Sequence, residues 1–118
     1  DSGGDGRHRG GLGVVREYEI LDGPVTLTHR GERHAHRAPG AADGGPGALA
    51  RGTILRTDGT VEEINSKLGT VLETGDRLVV ETAGGGGYGD AAMRDLTAIA
   101  ADIANGKVSD TKTGSDTA

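Results

Sequence analysis

The sequence contains no cysteine, which removes disulfides, thiolate catalysis and zinc-thiolate sites together and fits the cytoplasm. Phenylalanine and tryptophan are also missing, and there are only two tyrosines, Tyr18 and Tyr88. The rings that usually supply most of the buried area of a core are therefore nearly absent. A chain of 118 residues has the length of one small domain, and one so poor in rings is expected to be marginal alone or to lean on a partner. Basic charge is in deficit: 13 lysines and arginines face 18 acids, for a net charge of -5. That is the wrong sign for a general nucleic-acid or anionic-membrane binder. The single "RGG" at Arg9, Gly10 and Gly11 lacks the repeats and interleaved aromatics of single-strand binders. No apolar run approaches the ~20 residues of a bilayer span, and no signal peptide is visible. Methionine occurs once, at Met93, and the first residue is Asp1, so the chain reads as a piece of something longer.

What is abundant is glycine, with 23 residues. Residues 1–13, "DSGGDGRHRGGLG", read as loop, because closely spaced glycines lose too much backbone entropy to make a good helix or strand. "VVREYEIL" and "VTLTHR" follow around a "DGP" turn, and the simplest reading is a hairpin-like pair with Val25, Leu27 and His29 on one face. Residues 31–52 hold two of the three prolines and little periodicity, and a loop this long is usually functional, interfacial or disordered. "TILRTDGTVEEI" predicts two short strands around Asp58 and Gly59, where both turn positions tolerate positive φ. "SKLGTVLETGDRLVVET" repeats the pattern, with a turn near residues 74–76. After "GGGGYG", Asp90 is a good N-cap, and Met93, Leu96, Ile99, Ala100 and Ile103 fall at helical spacing. Asn105 and Gly106 supply the helix stop. The fold expected is mainly β, built from antiparallel hairpins in a sandwich or barrel, with one C-terminal α-helix at about 90–105. Residues 107–118 read as a flexible tail.

The glycine run invites a nucleotide reading, but a P-loop needs lysine and a hydroxyl after its last glycine, and Gly89 is followed by Asp90 and Ala91. Gly84, Gly86 and Gly89 spell a dinucleotide fingerprint by letter, yet the surroundings are hairpin-like rather than βαβ, and Asp90 places negative charge where an anion would sit. A corner where backbone passes close to backbone suits the run better. His34 and His36 point the same way on an extended segment and are weak candidates for a metal, with Arg33 and Arg37 opposing a cation. Arg7 and Arg9, and Arg33 with His34, lie in glycine-bearing loops where planar guanidinium donors suit a carboxylate, a phosphate or a neighbouring subunit. No serine or acid pair is marked as a catalytic group.

Several stretches taken together resemble, in order, the C-terminal portion of the hydantoinase B/oxoprolinase family: "DSGGDGRHRGGLGVVREYEI", "LTHRGERH", the "SK" at Ser66 and Lys67, "TGDRLVVETAGGGGYGDAAMRD" and "DIANGKVS". The resemblance implies that residues 1–106 are the β-rich C-terminal domain of a B-type subunit, within a larger α+β assembly. It further implies a share in an ATP-dependent hydrolase that opens a hydantoin or 5-oxoproline type of ring. An A-type ATP-binding partner would phosphorylate the substrate oxygen, turning a poor amide electrophile into a good one. ATP and a divalent metal, magnesium or manganese, would sit outside this chain. Related acetone and acetophenone carboxylases imply ketone carboxylation as an alternative, and a purely structural assembly module is a third reading. The motif positions that carry over are Gly3, Gly4, Gly6, Arg9, Gly10 and Gly11, then Gly31, Arg33 and His34, then Gly84, Gly85, Gly86, Gly87, Tyr88 and Gly89. No catalytic residue carries over. The chain departs from the family in the ring-free "AHRAPGAADGG", in Ala83 where proline is common, and in its tail.

Overall fold

The structure, a computed structural model, describes residues 1–109, so most of the tail expected from 107 onward lies outside the described residues. The chain forms two compact units. One holds Asp1–Leu12, Arg37–Ala48 and the described residues from Gly84 on, and the other holds Gly13–His36 and Leu49–Ala83.

The second unit carries all six strands found among the described residues: β1 (Val15–Glu19), β2 (Val25–Arg30), β3 (Arg51–Leu55), β4 (Val61–Ile64), β5 (Lys67–Leu72) and β6 (Arg77–Glu81). They form a four-stranded antiparallel sheet in the order β1-β6-β3-β4 and a two-stranded sheet of β2 and β5. One face of the larger sheet presents the cross-strand rows Tyr18, Leu78, Ile54, Glu62 and Arg16, Val80, Gly52, Ile64. Side chains alternate across a strand, so Leu27, Leu68 and Leu72 share one face of the small sheet. They pack with Ile54, Ile64, Leu78 and Val80 into a single apolar cluster, in which Ile54 is 1% exposed and Leu72 2%. The result is a small two-layer sandwich filled entirely with aliphatic side chains. The opposite face of the larger sheet is charged, with Arg77 paired to Glu17 at 3.1 Å and Arg51 to Glu63 at 2.6 Å. Those pairs are exposed and add little stability each.

Strand pairing corrects two expectations. β1 and β2 do not form a hairpin: β1 pairs with β6 and β2 with β5. β5 and β6 likewise part at their turn and enter different sheets. Asp76, 2% exposed, explains the parting. Its carboxylate accepts from the Glu73 and Thr57 backbone N–H groups and from Arg56, and its carbonyl accepts from Ile20 N–H. These bonds fasten the start of β6 to the turn of the β3–β4 hairpin and to the end of β1. The Glu73 N–H first, then Arg56 and Thr57, hold the Asp76 carboxyl below its ordinary value despite opposing burial. Asp76→Ala is therefore expected to lower the melting temperature of the chain clearly more than Asp58→Ala. Asp58 only closes the β3–β4 turn locally, through Thr60 N–H; calorimetric scans of the two variants check this ranking.

In the first unit the helix begins later than expected. Asp90 caps only a short 3-10 turn, Ala91–Met93, by accepting from Ala92 N–H, and Arg94 is extended. The α-helix α1 runs Leu96–Ala104 and is capped by Asp95, which accepts from Thr97 N–H. The extended Arg94 separates the 3-10 turn from α1, so Asp95 rather than Asp90 caps the helix. Its end is the expected one, with Asn105 as the cap and Gly106 at φ 71°. The expected apolar stripe is not what this helix buries. Met93 and Leu96 are exposed, and the buried helical residue is Asp102.

The rest of this unit is glycine backbone. The stretch 84–89 makes no strand ladder; instead its groups bond outward to several separate pieces of chain. Gly84 N–H donates to Ala48, Gly85 N–H to Gly11 and Gly87 N–H to Gly45, while Gly85 and Gly87 carbonyls accept from Gly4 and Ala41. A pleated strand directs its N–H and C=O groups to two sides of one plane. Bonding that radiates to neighbours near residues 4, 8–11, 41 and 45–48 makes a bundle of irregular segments whose backbones meet at contacts that glycine permits. The fit is close at most of these glycines. A Cβ on Gly84 would overlap the Ser2 carbonyl oxygen, one on Gly86 that of Pro39, and one on Gly10 that of Gly85. Residues 1–12 and 37–48, taken from the stretches expected as loops, supply the other segments of this bundle.

Candidate functional site

The glycine bundle does not fit a phosphate. The N–H groups of Gly84, Gly85, Gly87, Tyr88 and Gly89 all donate to backbone carbonyls within the unit, so the run lacks the free converging donors that a nucleotide cradle requires. The Asp90 carboxylate accepts from the Ala92 N–H just beyond it. Tyr88 is held by its backbone, exchanging two 2.9 Å bonds with His8. Its ring is 58% exposed and lies tilted against the His8 imidazole at 6.2 Å between centroids.

A groove of about 300 Å³ lies beside the bundle in the same unit, walled by Leu96, Ile99 and Val108 and floored by Arg9, Arg94 and Asp102, with Asp5 also lining it. Asp102 is the centre of the floor. Arg9 Nε and Nη2 reach its two carboxylate oxygens at 3.1 and 3.2 Å, and Arg94 Nη2 reaches Oδ2 at 2.9 Å. Bidentate guanidinium pairs of this kind are directional and strong. The three side chains are only 12%, 10% and 17% exposed for Arg9, Asp102 and Arg94. The Arg9 hydrogen bond first, then that of Arg94, depresses the Asp102 carboxyl below its ordinary value, against the opposing effect of burial. Two guanidiniums and the carboxylates of Asp102 and Asp5 cancel in charge, so the groove has no net attraction for an anion. Arg9, expected to await a carboxylate from a ligand or subunit, has found one on its own chain. Arg7 is exposed, and its carbonyl accepts from Arg94 Nη1 at 2.9 Å.

Arg33 and His34 belong to the other unit. Arg33 takes a positive φ of 63°, and its carbonyl accepts from Ala50 N–H. His34 meets His29, with Nε2 atoms 3.3 Å apart and rings edge-on at 78°, while His36 is exposed. Burial first, then the neighbouring His34 and Lys67, lowers the His29 pKa. Among the described residues no group of three or more His, Asp or Glu side chains is placed to hold a metal ion.

Asp102, Arg94 and His29 are the residues that sequence reasoning passed over as chemistry. Asp102 carried a signal, since an acid flanked by the apolar positions Ile99 and Ile103 would be costly unless paired. His29 carried one as well, in its place on the inward face of β2 beside Leu27. Nothing in the spacing of Arg9, Arg94 and Asp102 announced their meeting.

Known proteins agree with the motif pattern. The chain is 37% identical over 114 residues to the caprolactamase subunit beta of Pseudomonas jessenii, covering 92% of this chain and 19% of that protein. A protein of Methanocaldococcus jannaschii is 35% identical over 109 residues, with the same two coverages. The 5-oxoprolinase of Dictyostelium discoideum is 34% identical over 88 residues, 75% of this chain and 7% of that enzyme. The chain thus spans less than a fifth of the length of these relatives. No solved structure gives a significant match. No helix among the described residues is long and apolar enough to cross a membrane. The sequence profile of the hydantoinase B/oxoprolinase family matches residues 1–91, and the chain belongs to that family.

Proposed function

We propose that this chain is part of the B-type component of a hydrolase that opens a cyclic amide. The observation that carries this reading is the likeness, over most of the chain, to proteins named for two different lactams, caprolactam and 5-oxoproline. An unstrained amide is a poor electrophile. The reading therefore assigns to an A-type partner the ATP and the magnesium or manganese that would activate the substrate oxygen. The engaged N–H groups of the glycine run support keeping nucleotide away from this chain. Its own groups then do something else: the bundle and the Arg9–Asp102–Arg94 floor fix the shape of the surface that the rest of the component meets.

A complete B-type polypeptide carrying this chain, assembled with its A-type subunit, is expected to open 5-oxoproline, a hydantoin or ε-caprolactam with matching release of ADP. Ring opening is followed by chromatography and ADP by a coupled assay. Bicarbonate-dependent consumption of a ketone without ring opening would replace the reading with the carboxylase alternative. A second reading, that the chain touches no substrate and serves assembly alone, is favoured by the capture of Arg9 by Asp102. Alanine at Arg7, Arg33 and His34 separates the two: a changed KM or kcat per assembled complex supports substrate contact, and weakened assembly with unchanged turnover supports the structural role.

A further inference from the structure

We propose that the outer edge of β1 is a docking edge, and that an extended strand from the remainder of the B-type component adds to the larger sheet there. This inference rests on the chain's place within a longer B-type component, and it concerns assembly rather than ring opening.

The sheet order β1-β6-β3-β4 leaves one side of β1 without a neighbour. Successive residues of an antiparallel strand turn their backbone groups to opposite sides. Thr82 N–H donates to the Val14 carbonyl and Ile20 N–H to that of Asp76, and the register between them sets Arg16 against Val80 and Tyr18 against Leu78. The even-numbered residues therefore bond to β6. Val15, Glu17 and Glu19 direct their N–H and carbonyl groups outward, as a row of donors and acceptors with which a further strand can pair.

Folded proteins usually blunt such an edge with proline, lysine, a bulge or a covering segment. Between Val14 and Leu21 there is no proline or lysine, and the register of β1 on β6 runs without a bulge. No cover is present among the described residues either: of the six strands, only β1 has every residue exposed. On the inward face, the cross-strand row that buries Ile54 to 1% exposure leaves Tyr18 at 48%, so the small sheet stops short of β1. Val15 and Leu21, 66% and 80% exposed, extend the apolar surface along the strand.

Charge selects the occupant. Glu17 and Glu19 share one base, Arg77, at 3.1 and 3.6 Å, and their face of β1 keeps an excess of negative charge. Arg16, on the other face, has no ion pair among the described residues. A second copy of β1 fits poorly. Every antiparallel register that overlaps two or more of the outward residues sets Glu17 against Glu17, Glu17 against Glu19 or Arg16 against Arg16, and like charges directly opposite are destabilising. The edge fits instead a strand with a base opposite Glu17 and an acid at the adjoining position, facing Arg16. The chain covers 19% of the caprolactamase subunit beta, and the rest of a component of that kind is the source of such a strand. A strand on the same polypeptide arrives at high effective concentration and outcompetes a separate molecule.

The test is hydrogen exchange at single-residue resolution, run on this chain alone and on a complete B-type polypeptide carrying it, without an A-type subunit. In the chain alone the Arg16 and Tyr18 amides should be protected, and those of Val15, Glu17 and Glu19 should exchange freely. In the complete polypeptide the three outward amides should slow by at least about tenfold. Glu17→Pro removes only an outward N–H, at a place where an edge strand tolerates proline. It should abolish the protection of Val15 and Glu19 in the complete polypeptide and leave Arg16 and Tyr18 protected in the chain alone. If circular dichroism shows that Glu17→Pro does not fold, Glu17→Lys takes its place, and by facing the incoming base it should weaken the same protection. Outward amides that exchange as fast in the complete polypeptide as in the chain alone would overturn the docking edge. So would protection in the chain alone that rises with its concentration, which gives the edge to a second copy, or protection that appears only when the A-type subunit is added. Absent ring opening with the outward amides protected would count against the cyclic-amide reading alone, and the protection would still support the edge.

Discussion

Alanine at Gly84 or Gly86 abolishes the folded glycine bundle, whereas alanine at Gly11 or Gly45 leaves it intact. The added carbon at Gly84 would occupy the position of the Ser2 carbonyl oxygen, and at Gly86 that of Pro39. Both obstacles are backbone, which cannot rotate aside as a flexible side chain can. Relief requires the segments to separate, and that breaks the bonds from Gly84 N–H to Ala48 and from Gly4 N–H to Gly85 together. Overpacking a tight core already costs ~1–3 kcal/mol, and a clash against main chain belongs at or above the upper end of that range. Against a total stability of ~5–15 kcal/mol, one such change is enough to empty the native state of a chain this poor in core. At Gly11 nothing lies within 4 Å of the new carbon, and at Gly45 the nearest atom is Asp5 N at an ordinary 3.5 Å. Amide exchange at Gly4, His8, Gly85 and Gly87 distinguishes the two classes, since protection should vanish in the first and persist in the second. Equal protection in Gly86→Ala and Gly45→Ala would refute the account.

Asp102→Ala should be the most damaging substitution in the helical part of the same unit. It would leave the Arg9 and Arg94 guanidiniums, both mostly buried, facing each other without the carboxylate between them. Breaking a fully buried pair costs ~3–5 kcal/mol. The remaining contact with water at 12% and 17% exposure places this loss somewhat below that range. Arg94→Ala should cost less, because the Arg9 pair to both carboxylate oxygens survives. The same triad fixes a pH dependence. The folded carboxyl is held below its ordinary value of 3.8, so the unfolded chain takes up the proton first as acid is added. The contribution of Asp102 is therefore fully present above about pH 4 and is lost as the pH falls through the depressed folded value. Urea midpoints measured at pH 7 and near pH 3 should converge for the native chain and Asp102→Ala; a gap that is unchanged at low pH would contradict the assignment.

Much of this structure was written locally, and that part was legible. Asp58 and Gly59 turn β3 into β4 because their conformational preferences act within four residues, and Asn105 with Gly106 ends α1 for the same reason. Strand existence could be read from alternation at Val25, Leu27 and His29. Partner choice could not, because β2 finds β5 through Leu68 and Leu72, some forty residues away, and alternation is silent about distance. The glycine segments left no periodicity to read. A glycine segment buries backbone rather than side chains, so neither a period of two nor one of 3.6 appears in the sequence. The site divides along the same line. Arg9 was noticeable as an arginine among glycines, but its partner lies 93 residues on. His34 was weighed with His36 by spacing, while the strand placed His29 beside it.

The glycine bundle also governs when the first unit can exist during synthesis. Its bonds join Gly4 to Gly85, Gly11 to Gly85 and Ser2 to Ala48, so no continuous stretch of chain contains a nucleus for it. The β3–β4 hairpin of the sandwich needs only fourteen consecutive residues, from Arg51 to Ile64. A growing chain can close that hairpin while its first dozen residues wait unpaired, exposing glycine amides, until residues 84–89 emerge. Contacts of such long sequence separation slow folding through the entropy of closing the loop between them. The segment "DSGGDGRHRGG" is thus made well before residues 84–89 and folds only once they are present.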